Sequence, residues 1–490
     1  MAETNKQSKN VFADYLKASG EVGFVVKVVS SIIQAEGLPD VKLGEMVLLE
    51  SGQLGQIMAL KSEEVEILVF AREPIKVGTR VTRIGRKLSV PVGDGLLGRT
   101  IDVLGRTIAG AAGNGIAEWR TVDVTPGGIG TRVRVDQPFV TGVMIVDLLV
   151  PLGRGQRELV LGDRKTGKSY LLNQTILSQA RLGNICIYAA IGKQKAEIRK
   201  LEEFLAANKV ADKTVVVAAS SQDASGEIYL CPYTAMTIAE YFRDTGRDAV
   251  VVLDDMSTHA KFYRELSLLS RKFPGRDSYP GDIFHVHSKL MERSGYFKVG
   301  QKTAAITCMP VVETVQGDIS GYIQTNLMSM TDGHVYFDSD LFFRGRRPAV
   351  NPFVSVTRVG RQTQTPLRRD VGRMLLDLLT GYEKTQSFLK FGAELGESSR
   401  QILAMGEKLI KFFDQPVFLV VPLNVQLVLL ALLVTGVWNG DHPERLVQAY
   451  LADATTMQAV NDTVNRNEAM NNLMEDVRRG ADFWLGKLTA

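Results

Sequence analysis

An apolar strand, Glu158 to Leu161, runs into Gly162-Asp163-Arg164-Lys165-Thr166-Gly167-Lys168-Ser169 and then into SYLLNQTILSQA, which has helical spacing. The eight residues fit the pattern G-x-x-x-x-G-K-[ST]. Glycine lets such a loop curl until its backbone N–H groups point inward around phosphate oxygens. Lys168 adds a point charge at the β and γ phosphates. Ser169 can give its hydroxyl to Mg²⁺, and the helix that starts there turns its positive end toward the anion. An ordinary strand–helix turn containing glycine is the plainer account, and average composition would produce a chance match in roughly a few per cent of such chains. The strand before and the helix after are what the phosphate loop requires. All eight residues are therefore candidate nucleotide contacts.

A second element fits the same chemistry. Val250-Val251-Val252-Leu253-Asp254 is an apolar strand ending in a carboxylate, the form that holds Mg²⁺ or its waters. Alone it could be a buried strand running into a turn; about ninety residues after a phosphate loop it gains weight. Asp255 follows, and strand alternation turns it the other way.

The chain has 490 residues, enough for two to four domains at roughly 100–200 residues each. Hydrophobic residues at 45% and charged residues at 23% match a globular protein, which excludes bulk disorder. Lys plus Arg exceeds Asp plus Glu by 58 to 54, giving +4, too little to advertise a nucleic-acid or membrane surface. Three cysteines (Cys186, Cys231, Cys308) cannot form a disulfide framework in so long a chain, which points to a reducing compartment. The polar N-terminus lacks the apolar stretch of a secretory signal, and the first arginine is Arg72, unlike an Arg-rich presequence. The run from Val417 to Val434 approaches the length of a bilayer span but contains Pro422, Asn424 and Gln426 and lacks cationic flanks. It reads as two buried pieces broken at the proline.

Texture divides the chain into three. Residues 1–86 begin with a short polar arm and continue with short Val/Ile-rich runs between Gly or charged turns, a small β-barrel. Residues 87–364 alternate apolar strands (RELVLG, NICIYAAIG, TVVVAASS, DAVVVLDD, TAAITCMPVV) with helical segments, a mostly parallel sheet covered on both faces. Residues 365–490 lose the strand runs and read as an α-helical bundle. The fold class is thus multidomain: N-terminal β-barrel, central α/β P-loop nucleotide-binding domain of RecA-like type, C-terminal helical bundle.

Short elements in a fixed order carry a resemblance over nearly the whole length. They include Pro91-Val-Gly93, Leu97-Gly98-Arg99, Asp102-Val-Leu-Gly105-Arg106, Pro151 to Glu158 and the loop in its GDRxTGKS form. Further on come Asp254-Asp255-Met-Ser257, Pro274-Gly-Arg276, Pro280-Gly-Asp282, His287-Ser288 with Glu292-Arg293, Thr331-Asp332-Gly333, Arg347 to Asn351 and Ser355 to Gly360. The chain resembles the α subunits of F-type ATP synthases. The GDR opening is similar to α; the catalytic β partner typically opens its loop with a Gly-Gly-Ala type sequence.

The resemblance implies Mg²⁺ and ATP or ADP as cofactors, with Ser169 and Asp254 on the metal. It implies a ring of three such chains alternating with three catalytic β subunits around a rotating γ stalk, with a peripheral stalk or δ subunit and no nucleic acid. Contact with the membrane would be made only through the ion-translocating sector, at the cytoplasmic face of a bacterial inner membrane or the equivalent organelle side. By the same resemblance Arg358 is an arginine finger given to the neighbouring β site, a contribution typically worth 10³ to 10⁵ in rate. Ser329, Ser355 and Val356 would line that pocket. Arg347, Pro348 and Phe342 match the adenine-side segment, and Gln415 could add a polar contact, although Val417 breaks the family's Gln-x-Gln arrangement.

Hydrolysis needs a group that orients or deprotonates the attacking water. Catalytic β chains carry Glu after the strand that follows the phosphate-loop helix, and α chains carry Gln. Here Ile185 to Ile191 runs into Gly192-Lys193-Gln194-Lys195, so Lys193 takes that position. A protonated ammonium cannot serve as a base, and Glu197, four residues on, reads as a solvated helix residue. The chain is expected to bind nucleotide without turning it over efficiently. Lys165 and Lys193, both Gln in typical α chains, would add attraction for a triphosphate. The N-terminal arm is shorter than the helical arm usual in α chains.

Three other readings are weaker. A catalytically active hexameric motor of the same fold needs a carboxylate base, which the Gly192-Lys193 junction lacks. An RNA-threading helicase needs an aromatic, basic barrel, and no arginine precedes Arg72. A scaffold without nucleotide binding would not need Lys168, Ser169 and Asp254 together.

Overall fold

The computed structural model describes residues 2–71, 73–110, 115–390, 396–416 and 418–486, with side chains from residue 11 onward except that of Lys390. Val417 therefore lies outside the described residues. The chain divides into two units, 1–133 with 184–312 and 320–330, and 134–183 with 313–319 and 331–490.

In the first unit six antiparallel strands close a barrel in the order Val22–Val29, Ile32–Glu36, Glu64–Val69, Leu54–Leu60, Glu45–Leu49, Arg80–Lys87, with the last pairing back to the first. Closure removes the free edges that short strands would otherwise expose. Val25, Ile33, Val47, Leu49, Ile57, Ile67 and Val81 fill the interior. Arg83 bridges Glu45 and Glu21 at 2.9 and 2.7 Å.

The N-terminal arm differs from expectation. Ala2–Ser19 is an 18-residue helix. Its last turns carry Phe12, 2% exposed, under the Arg80 guanidinium, 5.5 Å from the ring centroid. Composition hid the helix because its residues 3–10 are all polar; burial of Phe12 against the barrel supplies the missing hydrophobic side.

The same unit holds a parallel sheet. Ala249–Asp254 lies between Ile185–Lys193 and Lys302–Glu313, and Thr214–Ser220 and Arg99–Ile101 extend it beyond Ile185–Lys193. These strands are buried on both faces, hence their unbroken apolar sequences. Helices Lys195–Ala207, Ser225–Asp244, Met256–Leu269 and Ile283–Met291 connect them. Arg293 is 1% exposed and pairs with Glu240 at 2.6 Å, while also donating to Val122 O and Thr237 Oγ1.

In the second unit Glu158–Gly162 runs parallel to Gly333–Phe337, and Val356–Thr357 pairs antiparallel on the far side of the latter. Helix Lys168–Arg181 follows the phosphate loop. The C-terminal part is helical, from Pro366–Lys390 through Glu397–Phe413, Leu423–Val434, Pro443–Ala452, Ala454–Arg466 and Met470–Arg479 to Ala481–Leu485. The apolar run does break at Pro422, which caps Leu423–Val434; ten of that helix's twelve residues are buried. Among the described residues no helix is long and apolar enough to cross a membrane.

Candidate nucleotide site

The phosphate loop is built from the strand outward. Gly162 ends its strand at φ 153°, and a Cβ there would meet Phe337 O at 2.5 Å, so only glycine permits this close approach. Gly167 takes a left-handed φ of 99° just before helix Lys168–Arg181. The Lys168 ammonium folds back over the loop and donates to Gly162 O at 2.7 Å and Asp163 O at 2.6 Å. Thr166 is buried, its hydroxyl donating to Asp163 O at 2.8 Å. Arg164 pairs with Glu313, Lys165 is exposed, and Ser169 is exposed in the first helical turn.

Asp163 anchors the loop. Its carboxylate accepts from Thr314 Oγ1 at 2.6 Å, Gly317 N at 3.0 Å and Ser339 Oγ at 2.8 Å. Burial pushes this carboxyl upward, but these hydrogen bonds and the Lys168 charge prevail and hold it below its ordinary value. These contacts tie the loop, through the Asp163 side chain, to two other segments.

In the first unit, Asp254 ends its strand buried, accepting from Tyr188 Oη at 2.6 Å and pairing with Lys193 Nζ at 2.8 Å. Lys193 Nζ also lies 3.9 Å from Asp255. Desolvation works against its charge, but Asp254 and Asp255 more than offset that and raise its proton affinity. The expectation that Lys193 adds a free cation for phosphate therefore changes: its charge is met by the strand-end carboxylate. Glu197 is exposed and closes a capping box on Gln194 N at 3.0 Å, as a solvated helix residue would. Asp255 caps helix Met256–Leu269 through Thr258 N. The Lys193 pairing was the residue relation least visible in sequence; its only signal was a Lys where a carboxamide was expected.

The donor types fit the expected cofactor. Ser169 hydroxyl and Asp254 carboxylate are hard oxygens suited to Mg²⁺, which keeps several waters and binds through few protein ligands. No group of three or more His, Cys, Asp or Glu able to hold a metal occurs among the described residues.

The element carrying Arg358 belongs to the second unit. Arg358 N donates to Asp332 O at 3.0 Å, and Asp332 is itself gripped by Arg157 through Nη2 at 2.7 Å and the Arg157 backbone N at 2.9 Å. The guanidinium is exposed, makes one long contact of 3.5 Å to Thr331 O, and has no ion pair among the described residues. Ser355 Oγ donates to Asn351 O at 2.7 Å and accepts from Tyr336 N at 2.9 Å. Val356 is exposed on its strand, and Ser329, in the first unit, is exposed with its hydroxyl on Asn326 O. Glu158 is fully buried; burial raises its carboxyl well above the ordinary range despite a 2.6 Å hydrogen bond from Gln156, and Arg358 only partly opposes this.

On the expected base side, the Arg347 guanidinium stacks 3.8 Å over the Phe342 ring and donates to Phe342 O and Arg346 O. Pro348, buried, follows a cis peptide bond. A cavity of about 20 Å³, room for about one water, is lined by Ile145, Arg347, Pro348 and Asp414. Gln415 is placed differently from its sequence reading. It is 2% exposed, accepts from Met144 N at 2.9 Å, and donates to Gly142 O at 2.7 Å and to Leu419 O. With its amide spent on the protein, it ties Leu419 to Gly142 and Met144.

A phosphate loop of this form, set between a parallel β-strand and the helix Lys168–Arg181, defines a P-loop nucleotide-binding protein. Residues 142–357 match the nucleotide-binding domain of the ATP synthase alpha/beta family, and residues 364–477 match the C-terminal domain of its chains. A protein named ATP synthase subunit alpha from Lactobacillus acidophilus is 39% identical over 432 residues, 88% of this chain and 86% of the relative. One of the same name from Lactobacillus delbrueckii subsp. bulgaricus is 40% identical over 417 residues, 85% of this chain and 83% of the relative. The chain belongs to the ATP synthase alpha/beta family.

Proposed function

We propose that the chain works as the α subunit in the head of a rotary F-type ATP synthase, holding Mg-nucleotide without efficiently turning it over. The observation that carries the non-catalytic half is the 2.8 Å pair of Lys193 with Asp254. Where a catalytic chain needs a carboxylate to prepare water, this one has an ammonium already engaged with a carboxylate. Gly162 to Ser169 cradle the phosphates, Lys168 leaving its loop carbonyls to meet them, with Ser169 and Asp254 serving Mg²⁺ and its waters. Phe342, Arg347 and Pro348 face the base; Gln415 is left out of that role.

Toward a neighbouring β subunit the chain offers Arg358, with Ser329, Ser355 and Val356 beside it. An exposed guanidinium fixed by its own backbone to Asp332 suits a charge delivered to another chain's phosphate. The assembly is a three-plus-three ring around a γ stalk with a peripheral stalk or δ subunit, coupled to ion flow and membrane-bound through the translocating sector, at the cytoplasmic face or its organelle equivalent.

ATP binding and hydrolysis by the purified chain with Mg²⁺, before and after adding a β partner, test this. Binding with negligible turnover alone, rising steeply on mixing, is the expected result. Robust turnover by the chain alone would replace it with the self-sufficient motor.

A further inference from the structure

In the second unit a concave site of about 270 Å³ lies where Leu148, the segment after Arg358 and helix Pro366–Lys390 meet. Arg361, Arg368, Arg369 and Arg373 line it, Leu148 and Leu376 give it apolar walls, and no carboxylate lines it. None of the four guanidiniums makes a hydrogen bond or ion pair among the described residues, whereas Arg83, Arg157, Lys193 and Arg293 each have a carboxylate partner. Arg369 and Arg373 stand one helical turn apart, a spacing at which like charges repel. The 25-residue helix Pro366–Lys390 begins at the same end and turns the positive end of its dipole there.

We propose that this site binds a small multivalent phosphate anion of the pyrophosphate type. Guanidinium groups present fixed forks that match phosphate oxygens two at a time, and four of them on one concavity answer several negative charges rather than one. The size argues for phosphates alone, since pockets for drug-sized ligands run from about 300 to 1,000 Å³. Arg368 supports the assignment independently. It is only partly exposed, and burial lowers its hold on its proton, with Asp147 the one opposing charge. Asp147 cannot serve as its partner, because both oxygens are taken by Thr141, Gly142 and Gln426. An anion in the concavity would supply what Arg368 lacks. The site shares no residue with the phosphate loop, so its occupancy is separable from nucleotide binding.

The test titrates sodium pyrophosphate, without Mg²⁺, into the full chain carrying Lys168→Ala to weaken the phosphate loop. One saturable site is expected, with a rise in melting temperature as pyrophosphate is added. Adding Arg368→Gln and Arg373→Gln should weaken that binding about tenfold or more, each lost charge-assisted contact counting. Arg361→Gln with Arg369→Gln, both exposed, gives a second pair whose folding is not at stake and should weaken it similarly. Lysine at the same positions should retain part of the affinity. No saturable binding in the Lys168→Ala chain, or equal affinity in the glutamine variants, overturns the proposal.

Discussion

Lys193 and Asp254 stand side by side at the ends of adjacent parallel strands, Nζ 2.8 Å from Oδ1, with the carboxylate side chain only 7% exposed. The residue aligned with a catalytic carboxylate is thus the counter-ion of the residue expected to serve the metal. Any cation drawn to Asp254 competes with an ammonium already there.

Replacing Lys193 with Gln should separate the two roles. Without nucleotide, Asp254 keeps Tyr188 as its one side-chain partner among the described residues, and a half-broken, mostly buried pair should cost about 1–3 kcal/mol, a fall in melting temperature of several degrees. With Mg-ATP the same variant should bind the metal more tightly than the parent chain. Differential scanning calorimetry with and without Mg-ATP measures both; unchanged stability in the empty variant would show that the pair carries no weight.

Arg358→Ala should leave ATP binding to the isolated chain intact and reduce multi-site turnover of the assembled complex by about 10³ or more. Steady-state hydrolysis of the reconstituted complex, beside nucleotide titration of the variant chain, checks this. Loss of binding in the isolated chain would sink the finger assignment.

Gly360 packs against the Pro151 carbonyl so closely that a Cβ would lie 1.7 Å from its oxygen. Alanine there forces either Pro151 or the Arg358 segment to move, so Gly360→Ala should destabilise by about 3 kcal/mol or more. Because Arg358 is two residues away, complex turnover should fall even at temperatures where the variant remains folded. A variant as stable and active as the parent would show that the backbones relax apart freely.

The buried histidine pair predicts acid sensitivity. His259 Nδ1 and His287 Nε2 are 3.2 Å apart, both fully buried, with His259 packed against the rings of Tyr229 and Tyr233. Burial pushes His259 down to about 4 and His287 well below its ordinary value, the latter helped by His259. In this window the unfolded chain binds more protons than the folded one, so stability rises with pH. The contribution is complete above about 6.5 and is lost as pH falls toward 4. His287→Gln should flatten this part of the stability profile relative to the parent, measured by urea unfolding between pH 4.5 and 7.5; parallel profiles would remove the pair from the explanation.

Much of the architecture was legible because it rests on local pattern. The barrel showed in short Val/Ile runs, the parallel strands in unbroken apolar stretches, and the phosphate loop in glycine spacing that backbone geometry demands. What stayed hidden were relations made only by tertiary contact. Lys193 reads as a solvent cation until Asp254 is beside it. Gln415 reads as a ligand group until Met144 and Gly142 take its amide. The first helix looks like a polar arm until Phe12 finds the barrel. In each case a polar or weakly patterned residue acquired its role from a partner tens to hundreds of positions away, beyond the reach of propensity or spacing.

The helix Leu423–Val434 has no polar side: its single buried amide, Gln426, is held by Asp147 and by Val421 O, and helices Ala454–Arg466 and Met470–Arg479 pack against it. During synthesis this stretch emerges from the ribosome before the covering helices, which follow it in the chain, have left the exit tunnel. For that interval the nascent chain displays a rod that is apolar but for Asn424 and Gln426, which makes it a natural client for chaperones. A product that terminates before residue 454 would never acquire its cover and would accumulate as insoluble protein.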